Sequence, residues 1–246
     1  KGAVIIERPD ITINLEGAGE NITVSLDEDP LAPKAHLLVS ELMVLTNAAL
    51  AAWAKEHGVT LLHRTQDVAI PKEFSGIWQT PLEIARVVKA LAPAVLETNP
   101  RPHAGLGEAM YAPSTSPLRR YPDMINETQI ISLLRDGKPR WSKEELDTLL
   151  PLLNAHLDAA GQVQRFRPRY WKLLYFKQQG DRWWPAVITD ENDAFVTVNM
   201  PKEQMIVRAR RQFFGERTHP GQELEIRLGK VHPLQNDFQL LETREI

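Results

Sequence analysis

The most informative stretch of the chain lies at residues 115–123, which read Thr-Ser-Pro-Leu-Arg-Arg-Tyr-Pro-Asp. A hydroxyl residue followed by proline is typical of a helix start, because proline suits the first helical position. The pattern therefore predicts a helix that begins at Pro117, with Arg119 and Arg120 in its first turn. A helix N-terminus attracts phosphate, and guanidinium groups add bidentate donors. The alternative is a surface helix whose arginines pair with nearby acids.

The longer segment 103–126 carries a resemblance to a known family. It begins His-Ala-Gly-Leu-Gly, in which Gly105 and Gly107 permit close backbone approach. It resembles the late signature of the RNB domain in the ribonuclease II family: His-Phe-Gly-Leu, a tyrosine, then Thr-Ser-Pro-Ile-Arg-Arg/Lys-Tyr-x-Asp. The resemblance implies that Arg119 lies at the scissile phosphate and is needed for cleavage, and that Arg120 is an RNA-binding residue.

A second stretch resembles the same family. Residues 38–48, Leu-Val-Ser-Glu-Leu-Met-Val-Leu-Thr-Asn-Ala, are similar to its Val-Glu-Glu-x-Met-x-x-Ala-Asn helix. The resemblance implies that Glu41 helps to position the RNA 3′ end; the alternative is an ordinary acid on a helix surface. Residues 61–64 resemble the Leu-Tyr-Arg segment that follows, so Arg64 is an RNA-binding candidate. Tyr111, which matches the tyrosine of the late signature, is another.

Hydrophobic periodicity outlines the first two thirds of the chain. Alternating residues at 11–15 and 21–26 flank a glycine-rich turn and predict a β-hairpin. An amphipathic helix is expected from about residue 33 to residue 56. Capping boxes that begin at Thr80 and at Ser142 predict two further helix starts.

The apolar period changes to two from about residue 171, which predicts short strands separated by Asp, Asn, Gly and Pro turns. The predicted strands are 184–189, 194–198, 204–208 and 224–228. About five strands in some 75 residues suggest a small β-barrel of the OB-fold type. The expected fold is α+β: the C-terminal part of an RNB domain at 1–171, followed by an OB-fold at 172–246. The resemblance implies that this barrel is of the S1 type and binds RNA.

Basic and aromatic residues alternate where the predicted barrel begins. They are Arg165, Arg167, Arg169 and Lys172, with Phe166, Tyr170 and Trp171 between and beside them. Such a pattern suits phosphate contacts combined with base stacking. The alternative is an amphipathic helix end that leads into the barrel core. The net charge of −3 argues weakly against nucleic acid, but residues 162–215 hold ten Lys/Arg against five Asp/Glu.

Composition excludes several classes of protein. The chain has no cysteine, which excludes disulfides and thiolate metal sites. Charges interrupt the apolar stretches, so we expect no membrane-spanning segment and no secretory signal, and cytoplasmic localisation by default. The chain begins at Lys1 rather than at a methionine, and we expect it to be a fragment or a processed chain.

The sequence also departs from the family. The family's Asp-x-x-x-x-x-Asp-x-Asp-Asp cluster, whose carboxylates suit Mg²⁺ chemistry, is absent here. We therefore assign no metal ligand in this chain and expect the aspartates to precede it. Ala104 replaces the usual phenylalanine, Glu127 and Thr128 replace His-Arg, and residues 162–167 are basic where the family has a glutamate that assists catalysis.

The resemblance implies a 3′→5′ exoribonuclease that hydrolyses RNA processively to nucleoside 5′-monophosphates. It also implies Mg²⁺ as cofactor, single-stranded RNA as substrate, the N-terminal part of the same protein as partner, and a monomer. One alternative is a non-catalytic RNA-binding module or a degenerate RNB relative. Another is an adaptor whose barrel binds protein.

Overall fold

The computed structural model describes residues 2–29, 33–215 and 217–246. Its contacts divide the chain into two compact units. The first unit is Lys1–Ile6, Ala32–Trp78 and Lys89–Asp158; the second unit is Glu7–Leu31, Gln79–Val88 and Ala159–Ile246. The predicted domain ranges, 1–171 and 172–246, do not coincide with these units, because the second unit draws on two earlier segments. As a statement about family domains, those ranges stay a prediction.

Four α-helices lie within the described residues. They are α1 (Pro33–Glu56), α2 (Pro81–Ala90), α3 (Tyr121–Asp136) and α4 (Lys143–Gln179). Both predicted capping boxes are present. At Thr80, the backbone N–H and hydroxyl donate to the Glu83 carboxylate at 3.2 and 2.6 Å. At Ser142, the backbone N–H donates to Glu145 at 2.7 Å, and the Glu145 N–H donates back to the serine hydroxyl at 3.2 Å.

Helix α1 has the predicted bounds, and its two halves differ in environment. In the C-terminal half, Ala51 and Ala54 are buried in a cluster with Leu61 and Ala112. By length and composition, residues 34–56 could also cross a membrane, with a mean hydropathy of 1.6. The sequence prediction of no such segment was therefore too strong. Only the C-terminal half of α1 packs in the core of the first unit.

Helix α3 starts later than predicted. Residues 117–119 form a turn, Arg120 is extended at φ −127° and ψ 115°, and the helix begins at Tyr121. The predicted start at Pro117 is wrong because it would place Pro122 inside the helix, where it lacks an N–H and clashes with the preceding turn. Beginning at Tyr121 puts that proline in the first turn, where no N–H is needed. The two arginines therefore precede the helix.

Eleven strands lie within the described residues. They are β1 (Val4–Ile6), β2 (Ile11–Glu16), β3 (Thr23–Glu28), β4 (His63–Thr65), β5 (Gly76–Trp78), β6 (Val95–Glu97), β7 (Trp183–Glu191), β8 (Phe195–Met200), β9 (Met205–Arg210), β10 (Glu223–His232) and β11 (Asp237–Glu245). In the first unit, β1 pairs with β5 in parallel and β4 pairs with β6 antiparallel. The predicted hairpin is confirmed as β2 and β3 in the second unit.

The second unit contains a curled antiparallel sheet in the order β11-β10-β7-β8-β9. Alternate residues of its strands point inward, and Trp184, Ile188, Val198 and Ile226 are almost completely buried. Leu173 and Phe176 of α4 pack in the same core. The arrangement confirms the predicted OB-like barrel. Strand β11 was not among the predicted strands.

Candidate functional site

The turn that precedes α3 is fixed by one buried carboxylate. The Ser116 carbonyl accepts the N–H groups of Arg119 and Arg120 at 3.2 and 3.0 Å. Asp123 Oδ1 accepts the Ser116 N–H at 2.9 Å and Arg120 Nη2 at 2.6 Å. The Asp123 side chain is only 1% exposed. Because both ends of the turn bind the same carboxylate, its backbone has little freedom.

Arg119 differs from its neighbour in having a free guanidinium. Its side chain is exposed and makes no hydrogen bond or ion pair with any residue in the described ranges. Arg120, by contrast, is committed to Asp123 and also approaches the Thr115 hydroxyl at 3.4 Å. Among the described residues, Arg119 is therefore the unpaired cation of the turn, whereas Arg120 is held by Asp123. A free guanidinium on a fixed backbone can donate two hydrogen bonds to a phosphate with little reorganisation.

Asn47 of α1 ties the segment before the turn to the helix. Its side chain is fully buried, and its Oδ1 accepts the Ser114 N–H at 2.8 Å. Its Nδ2 donates to the Tyr111 hydroxyl at 2.9 Å and to the Thr115 hydroxyl at 3.3 Å. Tyr111 is therefore buried and engaged with protein. Its role as an RNA contact stays a prediction.

The structure brings Arg64 and Arg120 together on the wall of one cavity in the first unit. The cavity encloses about 520 Å³ and is also lined by Asp123, Asn154 and Asp158 among apolar side chains. Strand β4 positions Arg64, whose backbone N–H donates to the Tyr111 carbonyl at 2.9 Å. A cavity of this size and mixed lining could hold a small polar molecule.

Glu41 and Arg119 do not line this cavity. Glu41 is exposed on the N-terminal half of α1, six residues before Asn47. Six residues correspond to about 9 Å along a helix axis. Glu41 therefore lies about 9 Å along the helix axis from the point where Asn47 contacts Thr115. Neither residue's functional role is decided by this placement.

A tight loop around Gly105 supports the same segment. The Gln66 side chain accepts the Gly105 N–H at 2.7 Å and donates to the Ala92 carbonyl at 2.5 Å. A Cβ added to Gly105 would lie 2.7 Å from Gln66 Oε1, so any larger residue here would have to displace the Gln66 side chain. Gly107 ends the turn with φ at +65°. Burial and the nearby Arg64 lower the pKa of His103 within this loop.

The basic residues predicted at the start of the barrel fall into two groups in the second unit. Arg165 and Arg167 are exposed on α4. Arg169 lies against the barrel, 3.5 Å from Met205 Sδ, with its guanidinium 5.6 Å from the centre of the Phe238 ring. Burial lowers the pKa of Arg169. Arg165 and Arg167 can thus reach a ligand in solvent, whereas Arg169 also contacts the barrel; the predicted role of all three in RNA binding stays a prediction.

Lys172 also belongs to the packed group. Its Nζ donates to the Gln204 carbonyl at 3.1 Å. Burial, assisted by the nearby positive charge of Arg8, lowers the pKa of Lys172 to about 8. A lysine held in this way contributes to the local fold more than to a surface phosphate site.

Two buried amides that the sequence prediction missed hold the scaffold of the first unit. Asn126 accepts the Leu62 N–H at 2.7 Å and donates to the carbonyls of Leu62 and Pro113 at 2.9 Å. Gln129 exchanges hydrogen bonds with the Trp141 backbone at 2.8 and 2.9 Å. A polar residue at regular spacing within a helix is the only local signal, and it does not reveal a distant partner.

The described residues do not fit a magnesium ion. No group of three or more His, Asp or Glu side chains among them could hold a metal. Asp27 and Asp29, in the densest acidic stretch of the sequence, accept hydrogen bonds from Asn14 and Thr12 at 2.6 Å as part of the β2–β3 hairpin region. We therefore derive no chemical step through a metal held by these residues.

Comparison with known sequences identifies the N-terminal part of the chain. The sequence model of the RNB domain matches residues 1–136. An uncharacterized ribonuclease of Synechocystis sp. is 24% identical over 248 residues, covering 98% of this chain and 36% of that protein. Ribonuclease II of Arabidopsis thaliana, chloroplastic/mitochondrial, is 26% identical over 219 residues and covers 85% and 26%. The chain thus spans about a third or less of the length of these relatives.

Solved structures share the fold. An active-site mutant of the Dss1 exoribonuclease from Candida glabrata superimposes with a TM-score of 0.79 at 22% identity, covering 97% of this chain and 32% of that one. Mycoplasma genitalium RNase R in complex with ribose-methylated single-stranded RNA gives 0.74 at 16% identity, with 98% and 46% covered. Yeast Ssd1, a pseudonuclease, gives 0.58 at 14% identity, with 85% and 29% covered.

Proposed function

Because the chain belongs to the RNB-domain ribonuclease family, we propose that it is the C-terminal part of a processive 3′→5′ exoribonuclease. The proposed substrate is single-stranded RNA and the products are nucleoside 5′-monophosphates. The observation that carries the proposal is the free guanidinium of Arg119 on a turn fixed by Asp123. An RNase R with the same fold is bound to RNA, which supports RNA as the ligand class.

In this proposal Arg119 acts by electrostatics. Its cationic group binds the phosphate under attack and stabilises the negative charge that grows there in the transition state. It transfers no proton, because a guanidinium stays protonated at any working pH. The Arg120–Asp123 pair and Asn47 act as positioning groups, since they fix the backbone on either side of the turn.

Mg²⁺ is the proposed cofactor, and it would supply the charge stabilisation and water activation typical of phosphodiester hydrolysis. Its ligands would be carboxylates outside the described residues, in the N-terminal part of the same protein. Glu41, Arg64, Arg165 and Arg167 are proposed to guide the RNA strand. The proposed enzyme is a cytoplasmic monomer.

The test incubates the intact gene product with end-labelled RNA and Mg²⁺ and measures from which end the RNA is shortened. Wild-type protein should release mononucleotides, and Arg119→Ala should slow release by roughly 10²- to 10³-fold, the usual cost of losing one donor to transition-state charge. Arg135→Ala, which removes an exposed arginine at the far end of α3, is the matched control and should keep full activity. Equal rates for Arg119→Ala and wild type would refute the assignment.

A second candidate function is a non-catalytic RNA-binding module. The similarity to yeast Ssd1 favours it, because this fold also occurs in a protein described as a pseudonuclease. The module would bind the same labelled RNA without shortening it. In both cases affinity should fall steeply with salt, because phosphate contacts release counterions. Affinity that does not change with salt would instead support a protein-binding adaptor.

A further inference from the structure

The cavity that Arg64 and Arg120 line in the first unit also carries an acid without a partner. Asp158 of α4 is exposed on its lining and makes no hydrogen bond or ion pair with any residue in the described part of the chain. The Arg64 guanidinium on β4 borders the same cavity and is equally free among those residues. These two opposite charges pair neither with each other nor with a neighbour, so both are available to a ligand.

The second guanidinium of the cavity is held in place by Asp123 but is not saturated. Arg120 binds that carboxylate through Nη2 alone. Arg120 Nε and Asp123 Oδ2 are buried without a partner in the described ranges, and both residues line the cavity. Because unsatisfied buried polar atoms are rare in folded proteins, the wall has a capacity for hydrogen bonds that the described chain does not use.

Apolar side chains complete the lining of the cavity. They include Pro93, Leu96, Pro113 and Leu157. The volume of about 520 Å³ is typical of sites for small organic ligands, and a single phosphate ion would leave most of it empty. Apolar walls with a few polar groups are the usual surroundings of a ligand that contains a ring system. The size and the lining therefore favour an organic molecule over a simple ion.

The charges of the lining define the two ends of such a molecule. Guanidinium groups donate parallel N–H groups to phosphate oxygens, so an anionic group belongs beside Arg64 and Arg120. An ionised carboxylate only accepts hydrogen bonds, so a group with N–H donors belongs beside Asp158. A nucleoside monophosphate has a phosphate at one end and a base with N–H donors at the other. The choice of a nucleotide among ligands with both features rests on the proposed function, whose products belong to this class.

The Asp158 carboxylate selects among the four bases. Guanine carries two adjacent donors, N1–H and N2–H, which match the two oxygens of a carboxylate. The Watson–Crick edges of adenine, cytosine and uracil place an acceptor beside each donor, and that acceptor would face the negative charge. Asn154 lies one helical turn before Asp158, and its Nδ2 is 3.4 Å from the Leu96 carbonyl. The second N–H of this amide is available for guanine O6.

We propose that this cavity binds guanosine 5′-monophosphate, with Arg64 and Arg120 at the phosphate and Asp158 at the base. The site is distinct from the phosphate site proposed at Arg119, because Arg119 does not line the cavity. Guanosine 5′-monophosphate released from RNA rebinds here and occupies Arg64, which is proposed to guide the RNA strand. It therefore slows RNA degradation more than adenosine 5′-monophosphate does at the same concentration.

Titration calorimetry on the intact gene product, without RNA or Mg²⁺, tests the proposal. The guanosine monophosphate should bind about tenfold more tightly, or tighter still, than those of adenosine, cytidine and uridine, because a bidentate contact to a base edge discriminates by that factor. Asp158→Asn should remove this preference and keep the adenosine monophosphate affinity, which also shows that the variant is folded. Arg64→Ala should weaken all four monophosphates and leave guanosine unchanged. Asp193→Asn, at an exposed aspartate of the second unit, is the matched control and should bind like wild type.

Three results would overturn the proposal. They are no binding of any monophosphate, equal affinity for all four, and guanosine monophosphate binding that Arg119→Ala abolishes while Asp158→Asn leaves it intact. The last result would place the nucleotide at the Arg119 turn instead of the cavity. RNA shortening, measured separately with Mg²⁺, keeps the two proposals distinguishable. Selective guanosine monophosphate binding without RNA shortening would keep this inference and reject the enzyme, whereas shortening without nucleotide binding would do the reverse.

Discussion

Arg120 Nη2 lies 2.6 Å from Asp123 Oδ1, and the aspartate side chain is almost completely buried while the arginine is about one third exposed. The remaining atoms of the pair, Arg120 Nε and Asp123 Oδ2, are buried without a partner among the described residues. The pair is therefore joined through one strong contact. Asp123 Oδ1 also accepts a hydrogen bond from the Ser116 N–H, so the carboxylate is the structural centre of the turn.

Asp123→Asn should lower the free energy of unfolding by about 2 kcal/mol, because the charge-assisted bond is lost while the shape is kept. Chemical denaturation monitored by tryptophan fluorescence measures the change. Asp136→Asn breaks an exposed pair with Arg135 and should be indistinguishable from wild type. Equal stability of Asp123→Asn and wild type would show that the turn does not depend on the ion pair.

Asn47→Ala should cost about 2–3 kcal/mol, because it leaves the buried Ser114 N–H without an acceptor and removes two donor contacts. The loss should appear as a lower midpoint in urea. Asn14→Ala removes an exposed hydrogen bond on the β2–β3 hairpin and serves as the matched control, with little change expected. A neutral Asn47→Ala would mean that water replaces the amide.

Gly105→Ala should destabilise the first unit by about 1–3 kcal/mol, since the new methyl group would displace Gln66 from its hydrogen bonds. Gly161→Ala introduces the same group within α4, where it meets only the flexible end of Arg165. That control should be neutral or more stable, by up to about 1 kcal/mol, because alanine favours a helix. Thermal unfolding of both variants distinguishes the local clash from a general effect of the substitution.

His63 should make stability depend on pH. Burial, opposed only in part by Glu97, lowers the pKa of His63 to about 4 from 6.5. The unfolded chain therefore binds more protons between these values, so the stabilising contribution is complete above pH 6.5 and is lost as pH falls towards 4. The loss is about 3 kcal/mol at most. His63→Gln should flatten the stability profile over this range, while replacing the exposed His36 by Gln should leave it unchanged.

Local signals were sufficient for much of the fold. The bounds of α1 follow from its apolar composition and its flanking residues, and the capping boxes at Thr80 and Ser142 mark two helix starts because their hydrogen bonds are made within four residues. The hairpin and four strands of the barrel likewise follow from alternation and turn residues. Such elements are encoded by neighbours in sequence, which is why a single chain reveals them.

The parts of the fold and of the site that the sequence did not predict depend on partners that are distant in sequence. Strands β4 and β6 have three residues each and form only because they pair across thirty residues. The helix start at α3 could have been placed correctly, since Pro122 excludes an earlier one. The sequence could not show that Arg120 is paired and Arg119 is free, because this depends on which of the two adjacent guanidinium groups reaches Asp123. Their spacing in the sequence is the same either way.

The second unit places unusual demands on synthesis of the protein. Gln178 of α4 accepts the backbone N–H of Val24 at 2.9 Å and donates to the Ile22 carbonyl, across 154 and 156 residues of sequence. At translation rates of about 5–20 residues per second, roughly 8–30 s separate the emergence of the hairpin from that of its partner. During this interval the β2–β3 hairpin has been synthesised but Gln178 has not. The edges of its strands are then open to chaperones and to other nascent chains.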